Sequence, residues 1–352
     1  MGRARKVLAL SCVALVGVAA CATPSPAATP SPTAAPTQAG SEPTASADLP
    51  GTTSFSFAIA GTPSMQHIAV MAALDDLRSE GYSIEMTELE NNSLVSQGVS
   101  QGQFQLGMSD VTAALSAAQA GGKVRLLSEG VGDEWMIATT TDITSCEQLE
   151  GRSVGVFAVG SFNDVSVRAY VARNCPTTNV EILTMGGSEG RTAAMLAGQL
   201  DASPLTIADV VLLLEEAGDR FHVLTNFAET LPDLHPLAVY GNTDFIAENP
   251  GTVQELLRAQ LNQNRQIAEN EEYLASLIRE YIPAQDPGIV DTIAAEYVRL
   301  GMYDPNGALT EENVNYTIQF YVSAGNIQPG LAVADVADLG PLNAVLDEMG
   351  RQ

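Results

Sequence analysis

The stretch "MGGSEGRTAAMLAGQLDASPLT", residues 185–206, combines three local signals that decide the fold. A Gly-Gly loop comes first, and the Ala-rich run that follows has the composition of a short helix ending at Gly198. The small residues of "LDASPL" then have the character of a buried strand. A helix between strands at this spacing predicts a βαβ unit, the building block of a parallel sheet.

The same rhythm extends in both directions from this stretch. Strand patterns lie at 54–61, 82–89, 104–109 and 124–131, and a second set lies at 152–160, 180–187, 200–205 and 221–227. Helical patterns separate them and dominate after residue 250. We therefore predict an α/β protein of two lobes with a ligand cleft between them, joined by crossover strands near 134–141 and 235–243. The expected first lobe is 54–135 plus 240–352, and the expected second lobe is 136–239.

The N-terminus has the features of an export signal. A basic start with Arg3, Arg5 and Lys6 precedes an apolar run that is too short for a permanent membrane span, and "VAAC" then ends at Cys21. This pattern is typical of a bacterial lipoprotein signal peptide, although a plain secretory signal also has small residues near its cleavage site. We expect residues 1–20 to be removed and Cys21 to carry the lipid.

Residues 21–53 are expected to form a disordered tether. They are rich in Ala, Pro, Thr and Ser and contain one large apolar residue, Leu49, so they cannot bury enough surface to fold. The expected location is therefore extracytoplasmic, with the protein anchored to the bacterial cell membrane through its lipid only.

Composition excludes several classes of partner and site. The formal net charge of −26 makes nucleic acid and bare anionic lipid poor partners.

With Cys12 in the signal, Cys146 and Cys175 remain, and an exported protein favours a disulfide between them over two buried thiols. The three histidines are scattered without ligand spacing, so we expect neither a metal site nor a cofactor.

Small polar residues follow several of the predicted strands, where the next helix begins. In an open parallel sheet such loops line the crevice in which ligands bind, and helix starts offer free N–H groups. The same residue types are ordinary helix caps in any protein, and that alternative stays open. The candidate ligand-binding residues are Thr62, Met65, Gln66, Asn92, Ser109, Asp110, Gly160, Ser161, Phe162, Met185, Gly187, Ser188 and Thr206.

Two further candidates have competing interpretations. Trp135, the single tryptophan, lies at the first crossover and either contacts the ligand or packs in the core. Arg191 lies about one turn into its helix and either pairs with a neighbouring carboxylate at the surface or holds a bound anion. A catalytic role has no support, because the sequence contains no G-x-S-x-G elbow, no P-loop and no H-E-x-x-H motif.

Four segments together resemble a known family. They are "LEGRSVGVFAVGS" at 149–161, "SEGRTAAMLAGQLDASPLT" at 188–206, "NPGTVQELLRAQL" at 249–261 and "NVNYTIQFYVSAGNI" at 313–327. In order and spacing they resemble solute-binding proteins of ABC importers, in particular the nitrate/sulfonate/taurine and thiamine-pyrimidine-precursor-like group. The resemblance covers roughly residues 54–350. It implies a type II periplasmic-binding-protein fold, hinge closure around a small ligand and delivery to permease and ATPase subunits. We expect a monomer.

Two alternatives to transport remain. Related enzymes make a thiamine pyrimidine or act in menaquinone synthesis, but the former use a cysteine-rich segment that is absent here, and both are cytoplasmic. An exported sensor or adhesion lipoprotein would keep the same fold without transport.

The expected ligand is a neutral or singly charged organic molecule rather than nitrate or phosphate. The candidate loops before Arg191 contain no Lys or Arg, whereas Asp110 and Asp164 supply negative charge.

Overall fold

The structure, a computed structural model, describes residues 49–352. The expected signal peptide, Cys21 and the tether as far as residue 48 lie outside the described residues. The last part of the expected tether is bound to the folded protein: the Pro50 carbonyl accepts from the Gly251 N–H at 2.9 Å, and the Thr52 carbonyl accepts from the Thr252 hydroxyl at 2.6 Å.

Two five-stranded sheets organise the described residues. The strands are β1 (Ser54–Ala60), β2 (Ser83–Leu89), β3 (Leu106–Asp110), β4 (Val124–Glu129), β5 (Trp135–Thr140), β6 (Ser153–Val156), β7 (Glu181–Thr184), β8 (Ala202–Thr206), β9 (Phe221–Asn226) and β10 (Leu237–Asn242). The first sheet has the order β2-β1-β3-β10-β4 and the second has the order β7-β6-β8-β5-β9. The two sheets therefore repeat one topology.

The two crossover strands, β5 and β10, explain why each sheet contains both parallel and antiparallel pairs. β1 pairs in parallel with β2 and β3, and β6 pairs in parallel with β7 and β8. β10 is antiparallel to both of its neighbours in the first sheet, and β5 is antiparallel to both of its neighbours in the second. Each of these two strands enters its sheet from the other lobe. The chain enters the second sheet with β5 at Trp135 and returns to the first sheet with β10 at Leu237.

Helices cover both sheets within residues 49–352. Their bounds are α1 (Ile68–Ser79), α2 (Asn92–Ser100), α3 (Val111–Gln119), α4 (Phe162–Asn174), α5 (Ser188–Leu196), α6 (Ile207–Ala217), α7 (Phe227–Thr230), α8 (Thr243–Glu248), α9 (Pro250–Glu269), α10 (Glu271–Tyr281), α11 (Val290–Arg299), α12 (Glu311–Ser323), α13 (Val333–Val336) and α14 (Gly340–Met349). Short 3₁₀ turns occupy Met65–His67 and Cys146–Leu149. No helix in this part of the chain is both long and apolar enough to span a membrane.

The C-terminal helices complete the first lobe. α9 packs along α1 and α14, and α13 lies against β4. α11 packs against α6 and so connects the C-terminal helices with the second lobe. The core is continuous and consists of apolar side chains from both sheets and the helices around them.

Cys146 and Cys175 form a disulfide with a Cα–Cα distance of 5.8 Å. The bond joins the 3₁₀ turn before β6 to the end of α4, entirely within the second lobe. Both cysteines are buried.

Candidate ligand-binding site

A cavity of about 250 Å³ lies between the two sheets, and we call it the inner cavity. Loops from both lobes and both crossovers form its wall. The lining residues are Ala60, Gly61, Gln66, Glu90, Asn91, Asn92, Asp110, Trp135, Phe157, Ser161, Phe162, Asn163, Gly187, Ser188, Arg191, Pro236 and Leu237. Most of them follow the carboxyl ends of strands, the side of an open α/β sheet where ligands bind.

A second space of about 540 Å³ adjoins the inner cavity, and we call it the outer vestibule. The two share Gly61, Gln66, Trp135, Gly187 and Ser188. Four carboxylates line the outer vestibule and no Lys or Arg does: Glu134, Glu189, Asp209 and Asp286.

The structure brings twelve of the fifteen candidate residues to these two spaces. The inner cavity contains Gln66, Asn92, Asp110, Trp135, Ser161, Phe162, Gly187, Ser188 and Arg191, and the outer vestibule adds Thr62, Met65 and Thr206. Ser109, Gly160 and Met185 line neither. Ser109 is buried in the sheet with its hydroxyl 2.6 Å from that of Tyr240.

Two helix starts come from the first lobe. Asn91 caps α2 by accepting from the Leu94 N–H at 3.0 Å. Asp110 caps α3, and its carboxylate accepts from the N–H and the hydroxyl of Thr112 at 3.2 and 3.0 Å. The Asn92 side chain accepts from the Asp110 N–H, so the two loops support each other. Asn91 and Asp110 therefore both cap a helix and line the inner cavity.

The loop before α4 turns at Gly160, which has a positive φ of 78°. The Ser161 hydroxyl donates to the Ala158 carbonyl at 2.7 Å, which fixes the start of the helix. Asp164, expected to add negative charge to the cleft, is buried and paired with Arg168 at 2.7 Å. Because that pair compensates its charge and Asp164 does not line the inner cavity, this expectation is wrong.

Arg191 is fully buried, so the expected surface ion pair is wrong. Its guanidinium donates to the Ser203 hydroxyl at 3.0 Å, to the Pro204 carbonyl at 2.9 Å and to the Gly186 carbonyl. No carboxylate in residues 49–352 lies within ion-pair distance of it. Burial lowers the pKa of Arg191 to about 10, so the group is charged at neutral pH.

These hydrogen bonds fix the Gly186-Gly187 loop over the cavity. Gly186 has a φ of 74°, a conformation that L side chains rarely adopt, and its carbonyl turns inward to accept from Arg191. Gly187 then caps α5. The guanidinium thus connects the loop to β8 through Pro204.

Aromatic side chains form one wall. The rings of Trp135 and Phe162 are 6.4 Å apart and tilted by 47°, and Phe227 meets Phe162 edge-on at 6.2 Å. The Arg191 guanidinium lies 5.8 Å from the centre of the Trp135 ring, within reach of a cation–π interaction. Trp135 is partly exposed and lines both spaces, so it contributes to the cleft as well as to packing.

Burial shifts two carboxyl groups of the site toward their neutral forms. Desolvation raises the pKa of Asp110 to about 6. The hydrogen bonds that its carboxyl group accepts from Thr112 and, across the cleft, from the Phe162 N–H lower the pKa and offset part of this rise. Desolvation also raises the pKa of Glu134 to about 7. The Glu134 carboxylate accepts from Gln66 Nε2 at 2.7 Å and from the Tyr297 hydroxyl.

Sequence reasoning missed several lining residues. Phe157 follows β6, so the strand-end rule that found its neighbours could have found it as well. Glu90 directly follows β2, whereas Pro236 and Leu237 join the wall because β10 returns beside β3 with Leu237 opposite Asp110, which no local pattern encodes. Within residues 49–352 no three His, Cys, Asp or Glu side chains are grouped as metal ligands would be.

Comparisons with known proteins agree with this architecture. The family model described as NMT1/THI5 like matches residues 65–271, more than half of the chain. No curated protein sequence matches the chain significantly.

Solved structures share the fold at low identity. The periplasmic nitrate-binding protein NrtA from Synechocystis PCC 6803 superposes with a TM-score of 0.67 at 10% identity, covering 86% of this chain and 90% of that one. The periplasmic aliphatic sulphonate-binding protein SsuA from Escherichia coli gives 0.63 at 13%, covering 82% and 92%. A ligand-binding component of an ABC-type import system from Staphylococcus aureus, with zinc bound, gives 0.66 at 11%, covering 83% and 98%. This chain therefore belongs to the NMT1/THI5-like family and has the two-lobed fold of periplasmic binding proteins.

Proposed function

We propose that this protein is the extracytoplasmic solute-binding component of an ABC importer. It captures a small organic ligand by closure of its lobes and delivers that ligand to membrane permease and ATPase subunits. The observation that carries the proposal is the inner cavity, whose wall includes Asp110 from the first lobe and Ser161 from the second. A ligand that contacts both lobes binds the closed form more tightly than the open form, which couples capture to a change of shape.

The ligand class is sulfonate-, pyrimidine- or vitamin-like. The inner cavity is small, and the rings of Trp135 and Phe162 give it an apolar wall beside polar helix starts. This combination suits an organic body with a few polar atoms better than nitrate or phosphate. The ligand is neutral or carries one net charge.

Export and anchoring complete the proposal and rest on residues 1–21 of the sequence. Lipidation of Cys21 would hold the protein at the cell membrane, next to its permease. The protein acts as a monomer, because one chain supplies both walls of the cavity.

Ligand screening tests the function. Melting of the purified protein is followed against sulfonates, pyrimidines, and flavin- and amine-type vitamins, with native mass spectrometry for retained ligand. One compound class is expected to raise the melting temperature by several degrees, since a ligand at 100 times its Kd adds about 2.7 kcal/mol. A flat response to the whole panel, with no ligand retained, would contradict the proposal.

A further inference from the structure

The chain crosses between the two sheets twice, in two linking segments. Residues 130–134, the first linking segment, lead from β4 to β5, and residues 227–236, the second, lead from β9 to β10. β4 and β10 are neighbours in the first sheet, so Glu129 at the end of β4 lies beside His235, which precedes β10 by two residues. His235 Nδ1 donates to the Glu129 carboxylate, and both side chains are buried. This ion pair therefore joins the two segments in which one lobe would bend against the other.

Buried carboxyl groups are concentrated around the first linking segment. Glu129, Asp133 and Glu134 are each at most 5% exposed. No Lys or Arg within residues 49–352 forms an ion pair with any of the three, and the group of opposite charge that pairs with them is His235. Burial raises the pKa of Asp133 well above its ordinary value and the pKa of Glu134 to about 7, as expected for acids without a nearby cation. The charge balance of this region therefore depends on one histidine.

Several carboxylates hold the proton on His235. Burial by itself lowers the pKa of the imidazole, whereas the charge and the hydrogen bond of Glu129 raise it. Asp304, in the loop after α11, and Asp233, in the second linking segment, add further negative charge. The net result is a pKa above the ordinary 6.5, so His235 carries its proton in mildly acidic solution and loses it in alkaline solution.

The other contacts of the pair are with neutral groups. The Thr317 hydroxyl of α12 accepts from the backbone N–H of His235 at 3.3 Å, and Gln260 of α9 donates to the Glu129 carbonyl at 2.6 Å. His235 Nε2 is buried and has no hydrogen-bond partner within residues 49–352. A buried imidazolium with one hydrogen bond from its ring is stable only beside its counter-charge, and a buried carboxylate that loses this partner gains free energy by contacting water.

We propose that the Glu129–His235 pair is a proton-dependent latch on the hinge between the two lobes. While His235 is protonated, the pair holds the two linking segments together and favours the arrangement of the lobes seen in the structure. When the proton is lost, the Glu129 carboxylate has no counter-charge, and the lobes separate so that water can hydrate it. The inference rests on the proposed function for the hinge motion but not for the identity of the ligand.

The ligand-free protein contains its own reporter of this motion. Trp135, the single tryptophan, directly follows the first linking segment, is partly exposed and lines both the inner cavity and the outer vestibule. Acrylamide quenching of its fluorescence measures its access to solvent, and small-angle X-ray scattering measures the separation of the lobes. From about pH 6 to about pH 9 the quenching constant should rise by at least about twofold, and the radius of gyration should increase, because the latch loses its proton over this interval.

Variants separate the proton from the hydrogen bond. His235→Asn keeps an amide donor near the position of Nδ1 but cannot carry charge, so at about pH 6 it should show the quenching that the wild type reaches at about pH 9. Glu129→Gln removes the counter-charge and should also abolish the pH response. His222→Asn is the matched histidine control, because His222 is half-buried in β9 with its ring bonded to the Ile143 carbonyl at 2.7 Å. It should respond as the wild type does.

Other titrating groups are controlled in the same experiment. Glu134 ionises in this interval, so His235→Asn is also compared with its parent in a Glu134→Gln background. Asp133 is present in every protein compared, and His67 does not titrate here because burial lowers its pKa to about 4. Glu216→Gln, which removes a carboxylate from the exposed face of α6, is the control for loss of an acid and should respond as the wild type does.

The latch is overturned if the wild type shows no pH response, or if His235→Asn responds as its parent does in either background. A pair that only stabilises the fold would shift the urea midpoints of the variants and leave the quenching response unchanged, which also overturns it. If far-UV circular dichroism shows that His235→Asn does not fold, Glu129→Gln decides by the same criterion.

The two proposals fail in different ways, since these measurements use no ligand. If the ligand panel contains a binder and the pH response is missing, the solute-binding function stands and the latch falls. If the pH response follows His235 and the panel contains no binder, the latch stands and the solute-binding function falls.

Discussion

Glu134 connects the first crossover to the first lobe. It is 1% exposed, its carboxylate accepts from Gln66 and Tyr297, and its carbonyl accepts from the Ile207 N–H at the start of α6. One residue next to Trp135 therefore contacts both lobes at the point where a closing motion would bend the chain. Its protonation state matters because burial raises its pKa to about 7.

Replacing Glu134 should change the pH dependence of stability. Because its pKa is raised above the ordinary 4.5, the folded state binds the proton more tightly, and stability falls as pH rises from about 4.5 to 7. The glutamine of Glu134→Gln cannot ionise, so the variant does not lose this stability. Its free energy of unfolding should therefore rise relative to that of the wild type by about 2–3 kcal/mol across that interval. Urea unfolding at several pH values measures this. Glu216→Gln is the control, and parallel profiles for wild type and Glu134→Gln would contradict the prediction.

Among the helices, α4 connects the inner cavity to the disulfide. Its first residues line the inner cavity, and its last turn is joined by Cys175 to Cys146. The disulfide therefore holds the far end of a helix whose start lines the inner cavity. With a sequence separation of 29, it also restricts the unfolded chain.

Removal of the disulfide should lower stability without changing the fold. Loop-closure entropy gives a loss of roughly 3 kcal/mol for a loop of this length. The paired variant Cys146→Ala with Cys175→Ala should show this loss in urea unfolding, with unchanged far-UV circular dichroism. A reductant should destabilise the wild type and leave the double variant unaffected. Equal stability of the two proteins would contradict the prediction.

At the scale of the whole molecule, a hydrogen bond joins the second-lobe loop before α4 to the segment after α12. Asn326, after α12, donates from its Nδ2 to the Gly160 carbonyl at 2.9 Å, across a sequence separation of 166. α11 packs against α6 at another point between the lobes. The C-terminal helices and the segment after α12 therefore join the two lobes in addition to the two crossovers.

Loss of that bond should favour the open form. Asn326→Ala removes a bond worth about 1 kcal/mol, which changes an open–closed ratio roughly fivefold. Small-angle X-ray scattering of the ligand-free protein should give a larger radius of gyration for this variant. Asn343→Ala, on the exposed surface of α14, is the matched control. Identical scattering from wild type and Asn326→Ala would show that the contact does not govern closure.

Local patterns were sufficient for many of the elements and for many of the residues that line the inner cavity. Alternating apolar residues predicted β1, and the run after Gly187 predicted α5, because hydrophobic periodicity follows from backbone geometry alone. Small polar residues at strand ends identified Asp110, Ser161 and Ser188, because a residue that caps or opens a helix after a parallel strand lies at the carboxyl edge of the sheet.

The sequence by itself determined two α/β lobes, the family resemblance and the loops that form the cleft. Only the tertiary structure decided the strand orders, the return of Leu237 beside the first-lobe loops, and the role of Arg191. A charged residue one turn into a helix looks like a surface residue in any local pattern. Whether Arg191 is exposed depends on β8 and the Gly186 loop, which fold over it and supply neutral acceptors, and those contacts exist only once the chain has folded.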